Sequence, residues 1–125
     1  MYKRQGAIAC NFIGLYDDEI SKLWAGFIPY SHYDGVKKWV YPDSDRVSAI
    51  KRMSRLAGRP QLILSESVKS NQLTKKYIKS SEGNGQFTFM ETGFRNHNDE
   101  WILRPSQTRK AARSWLEKIV SVPKH

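Results

Sequence analysis

One cysteine, Cys10, is the whole thiol content of this 125-residue chain, so an internal disulfide is excluded, and no Cys/His set has the spacing of metal ligands. A reducing, cytoplasmic setting is expected, without a structural zinc site. No run of about 18 apolar residues is present, so neither a membrane-spanning helix nor a membrane partner is expected. The sequence also lacks a GxxxxGK phosphate loop, a GxGxxG after a strand, a GxSxG elbow and an HxE paired with PCxxC. Those absences leave no catalytic residue set, metal or cofactor to nominate. No repeat, low-complexity tract or linker divides the chain, so a single core is expected.

Positive charge, by contrast, is abundant. Lys and Arg number 21 against 12 Asp and Glu, a net of 21 minus 12, or +9. Residues 1–62 carry ten cations and six acids, and residues 63–125 carry eleven and six, so the charge belongs to the body of the protein rather than to a tail. Such a potential attracts nucleic acid, a nucleotide ligand or an acidic protein surface, without choosing among them.

The segment Tyr41 to Pro60 has the most complete helix signature. Asp43, Ser44 or Asp45 can cap its start, Gly58 supplies a left-handed stop and Pro60 prevents continuation. At about 100° per residue, Val47, Ala49, Ile50, Met53, Leu56 and Ala57 fall on one side, and Lys51, Arg52, Arg55 and Arg59 on the other. No acid after Asp45 neutralises those cations within the helix, which marks them as candidate phosphate ligands. Just upstream, Tyr30 to Tyr41 places Asp34-Gly35 as a turn in an aromatic and lysine-rich stretch, predicting a hairpin with Trp39 and Tyr33 available to stack on bases. His32 reads as a turn residue.

Elsewhere, Ala7 to Ile13 reads as a buried strand, and Ile20, Leu23, Trp24, Phe27 and Ile28 have helical spacing up to Pro29. Pro60 to Ser65 reads as a buried strand. Ser70-Asn71 then caps a short helix with Leu73 and Tyr77 inward and Lys75, Lys76 and Lys79 outward. Gln86 to Glu91 alternates as a strand should, with Phe87 and Phe89 on one side. It is expected to form a second hairpin with Glu100 to Arg104 across a polar loop containing Arg95, His97 and Asn98. Pro105-Ser106 introduces a last helix whose inward stripe is Thr108, Ala111, Ala112, Trp115, Leu116 and Ile119, with Arg109, Lys110 and Arg113 turned away. The expected fold is therefore α+β, a mostly antiparallel sheet of two hairpins with three to four amphipathic helices on it.

Three resemblances add to this. Met1 to Gln5, MYKRQ, resembles the translated transposase-adapter end of a sequencing library. That implies residues 1–5 are not native, the native chain begins upstream or near Gly6, and the source is microbial or viral, while residues 6–125 are expected from the patterns above to form one basic α+β domain. LILSESVK resembles the acid-and-lysine strand of metal-dependent nucleases, although Glu66 and Lys69 are separated by two residues where that family has one. The last forty residues resemble in pattern the small sheet-plus-helix DNA-binding modules of phage integrases.

Charge, aromatics and resemblances together lead to the expectation of a nucleic-acid-binding module of phage or mobile-element origin. Lys51, Arg52, Arg55, Arg59, Lys75, Lys76, Arg109 and Arg113 would hold phosphates, and Trp39 and Tyr33 would stack. The alternative is a small viral anti-defence protein, such as an anti-CRISPR, that sequesters a nucleotide messenger or blocks an acidic surface of a host immune protein. A divergent nuclease using Glu66 comes third. A continuous cationic groove favours a polymer and an enclosed cationic cavity favours a small nucleotide.

Overall fold

A computed structural model describes residues 2–30, 32–81, 85–92 and 100–121. In order these form α1 (Tyr2–Gly14), α2 (Asp18–Ser21), α3 (Arg46–Met53) running into a 3-10 turn (Ser54–Leu56), β1 (Pro60–Ser65), α4 (Val68–Ser80), β2 (Gln86–Glu91), α5 (Glu100–Leu103) and α6 (Gln107–Ser121). The fold is α+β, but its sheet is parallel. β1 and β2 pair with Ile63 opposite Phe89 and Leu64 opposite Met90, so the expected antiparallel sheet of two hairpins is not what forms. The reason lies in the connection: thirteen residues of helix between two strands make a crossover, and a crossover returns the chain in the same direction.

Five consecutive residues of β1, Gln61 to Ser65, are buried, because both faces of the strand are covered. On one face Ile63, Phe87 and Phe89 meet Ile50 and Met53 of α3 and Tyr77 and Ile78 of α4. On the other, Leu62, Leu64 and Met90 meet Ala112 and Trp115 of α6. Each fully buried leucine contributes roughly 1.5–3 kcal/mol. The layering is α3 and α4, then sheet, then α6.

A short extended segment flanks β1 on the edge away from β2. The Phe27 amide donates to the Pro60 carbonyl (3.1 Å), Leu62 to Phe27 (2.9 Å) and Leu64 to Pro29 (3.0 Å), with Phe27 and Tyr30 bridged in parallel to Gln61 and Leu64. Residues 20–28 are thus not one helix. α2 stops at Ser21, and the sheet edge captures residues 27–30 as an added strand-like segment; Pro29, with no amide to donate, needs only its carbonyl there.

The other departures have similar causes. Ala7 to Ile13 is helical, since Ile8, Asn11 and Leu15 are buried at spacings of three and four. Asp34-Gly35 does turn the chain, with Gly35 at φ +100° and the Val36 amide on the Tyr33 carbonyl (3.2 Å), yet no ladder flanks it. Glu100 to Leu103 is helical rather than a strand. The loop positions Arg95, His97 and Asn98 lie outside the described residues. Asp45 is the cap of α3, its carboxylate accepting from the Ser48 amide (3.0 Å), and Ala57 and Gly58 are both left-handed after Leu56. Val47, Ala57, Leu73 and Leu116, expected inward, are exposed.

Candidate functional site

The expected row of cations on the α3 segment dissolves on folding. Arg52 is 5% exposed: its Nε and Nη2 donate to the two carboxylate oxygens of Asp34 at 2.8 and 2.9 Å, and its guanidinium carbon lies 3.9 Å from the Phe12 ring centre. It comes three residues after Ala49 and four before Leu56, so it shares their buried stripe rather than the opposite face. Arg55 donates to Asp18 (3.1 Å) and to the carbonyls of Leu15 and Tyr16 (3.1 and 3.0 Å). Arg59 donates to the carbonyls of Leu56 (2.8 Å), Trp24 (3.0 Å), Arg55 and Ser21. These three arginines, named above as phosphate ligands, donate to the protein's own oxygens. Lys51 alone of the four stays exposed.

Tyr33 is also removed from the surface. It is 3% exposed, and its hydroxyl accepts from Gln61 Nε2 (2.7 Å) and Asn11 Nδ2 (3.2 Å), so it tethers α1 to β1, and what remains open of it lines the cavity beside Trp39. Burial pushes its hydroxyl pKa well above the ordinary tyrosine value. Tyr77 beside it is pushed up to about 12 by burial and by the Asp34 carboxylate, and its hydroxyl has no hydrogen-bond partner among the described residues.

The remaining predicted ligands separate into two groups. Lys75 and Lys76 are exposed on α4, with the Lys75 ammonium 5.0 Å from the Phe89 ring centre. Arg113 is exposed and Arg109 half-buried on α6, beyond the other face of the sheet. Arg109, Lys110 and Arg113 line a broad open depression of about 650 Å³. The sheet stands between the two groups.

Trp39 lies in a different setting. Its backbone is fixed by Ser44, whose Oγ accepts from the Trp39 amide (3.1 Å) and donates to the Trp39 carbonyl. The indole meets the His32 ring edge to face, centres 5.7 Å apart, and carries the Lys37 ammonium at 4.9 Å from its ring centre. These three side chains form one wall of a cavity of about 260 Å³. The facing wall is the first two turns of α4: Ser67, Lys69, Ser70, Leu73 and Thr74. Ser67 caps that helix by accepting from the Ser70 amide (3.2 Å), which moves the cap from the expected Ser70 to Ser67.

The topology explains the position. Residues 32–39 come just after the extended segment 27–30, and residues 67–74 just after β1, so both walls rise from the carboxyl ends of neighbouring parallel strands. Open parallel sheets bind ligands at that edge, because the loops there diverge and the next helix points its free amides into the crevice. The cavity brings His32, Tyr33 and Trp39, the lysines Lys37 and Lys69, and Ser67, Ser70 and Thr74 around one concave space. A hairpin over residues 30–41 has no reason to meet α4, and for that reason the sequence pattern does not single out Lys37 and Lys69 as ligands.

Among the described residues, no group of three His, Cys, Asp or Glu side chains is arranged to hold a metal ion, Glu66 included. No described helix is long and apolar enough to cross a membrane. Comparison with protein families, curated proteins and solved structures finds no match to this chain.

Proposed function

We propose that the protein binds a small nucleotide, its base against Trp39 and its phosphate between Lys37 and Lys69. The observation that carries this reading is the cavity that gathers His32, Trp39, Lys37 and Lys69 at the carboxyl edge of the sheet. Its volume of about 260 Å³ sits just below the usual range for bound organic ligands, roughly 300–1,000 Å³, which favours a mononucleotide over a longer one. Every base has a π face, so an indole accepts any of them, and lysines act as point charges on phosphate. With Arg52, Arg55 and Arg59 turned onto the protein's own oxygens, a polymer has less cationic surface to track than the charge count alone suggests.

The test is calorimetric titration with the four nucleoside 5′-monophosphates and with a long single strand. Saturable monophosphate binding that weakens about tenfold or more in Trp39→Ala supports the site, since stacking contributes roughly 1–3 kcal/mol. Monophosphate binding that is absent, or indifferent to Trp39, overturns it.

A second reading has its own observation, the open depression bearing Arg109, Lys110 and Arg113. A nucleic-acid backbone held there gives affinity that falls steeply with salt. Long nucleic acid that binds at low salt and is lost in Arg109→Gln/Arg113→Gln supports that reading.

A further inference from the structure

We infer that Lys37 is the residue that makes this site select phosphorylated ligands, by occupying the Trp39 ring until a phosphate draws it away. The inference rests on the nucleotide reading above and names the specificity of the same cavity.

A base can stack on Trp39 only where the ring face is open, yet the Lys37 ammonium lies 4.9 Å from the ring centre, and both side chains line the cavity. His32 contributes its ring to the same indole, edge to face. The chain therefore holds its own cation on the surface that a base would use. An ammonium over an indole gains a modest attraction at an exposed position, and an unphosphorylated nucleoside has nothing to offer that ammonium in return. It must displace Lys37 into water and lose that attraction.

A nucleotide is different because its phosphate is a stronger partner for an ammonium than an aromatic face is. Lys37 leaves the ring, the base takes the vacated face, and the ammonium pairs with the phosphate beside Lys69. One side chain thus opposes the base when it comes alone and assists it when it brings an anion. Preference by this route comes from a repulsive element as much as from an attractive one.

Lys37 is exposed, so its removal leaves the fold intact, which an unchanged melting temperature verifies. The experiment measures dissociation constants of adenosine, guanosine, cytidine and uridine and of their 5′-monophosphates, for the wild-type protein, Lys37→Ala and Lys37→Arg. In Lys37→Ala, nucleoside binding should tighten about two- to fivefold as the ring is freed. Monophosphate binding should weaken about tenfold as a charged partner is lost. Lys37→Arg, which both stacks and pairs with phosphate, should restore the preference. In the free wild-type protein the Lys37 Cε protons should resonate upfield through the indole ring current, and they should move downfield when a monophosphate binds. Wild-type binding of monophosphates with a preference unchanged in Lys37→Ala overturns the role of Lys37 while sparing the site. Failure of every nucleotide and nucleoside to bind the wild-type protein brings down the site, and the role of Lys37 with it.

Discussion

Arg52 and Asp34 form a buried, two-pronged ion pair, 6% and 5% exposed at their side chains, that clamps α3 to the turn carrying the cavity wall. The pair joins residues eighteen apart, and the turn it holds leads directly through Val36 and Lys37 to Trp39. Geometry at the cavity thus depends on a largely buried cation.

Removing one partner leaves the other charged and buried. Arg52→Met should destabilise the protein by about 3–5 kcal/mol, whereas Arg52→Met combined with Asp34→Asn should recover a large part of that loss. Urea denaturation of the two single variants and the double variant measures the coupling. Strict additivity would mean that the pair contributes nothing jointly.

Tyr77→Phe should leave stability at pH 7 unchanged or raise it by up to about 1 kcal/mol, because the lost hydroxyl is buried without a partner among the described residues. Its raised pKa gives a second expectation. The neutral phenol is favoured in the folded state, so its share of stability is complete below the ordinary tyrosine value of 10.0 and is lost as pH climbs toward about 12. Tyr77→Phe should therefore flatten part of the alkaline decline seen in melting temperature between those values. A decline identical to wild type would contradict this.

Two backbone positions should respond in opposite directions. Gly35 sits at φ +100°, and a Cβ there would come within 2.7 Å of the Ala49 Cβ as well as striking Tyr77. Gly35→Ala should cost at least about 2 kcal/mol and weaken ligand binding in the adjoining cavity. Ala57, exposed and at φ 52°, carries the left-handed penalty with no packing to compensate, so Ala57→Gly should stabilise by up to about 1 kcal/mol. Thermal melts of both variants give the signs directly.

Arg109 and Arg113 lie across the sheet from α4, so Arg109→Gln/Arg113→Gln should leave monophosphate affinity within about twofold of wild type, apart from a small screened long-range effect. Isothermal titration of the double variant checks this. A tenfold loss would require the two regions to act on one ligand.

Much of the local structure is legible in the residues. The bounds of β1, the alternation of β2, the cap of α3 and the inward Thr108, Ala112 and Trp115 of α6 all come from patterns of apolar and capping residues. The rest is decided by partners distant in the chain. The unbroken PQLILS run already implies cover on two faces, hence a parallel arrangement, but turn signals on either side of it point to hairpins and compete with that implication. Arg52 looks like a surface cation because its carboxylate lies eighteen residues earlier, inside a turn, where no helical periodicity can reveal it. The candidate site is half visible: the aromatic stretch marks Trp39, while Lys37 and Lys69 become its companions only through the strand order.

The two walls of the cavity, residues 32–39 and 67–74, are held side by side by β1, which is seated between segment 27–30 and β2. A partly assembled chain consequently has nowhere to hold the ligand, and any compound that fits will act as a brake on unfolding while leaving the rate of folding nearly untouched. Saturating ligand should lengthen the native lifetime in step with its equilibrium stabilisation, so that a stopwatch becomes an affinity gauge.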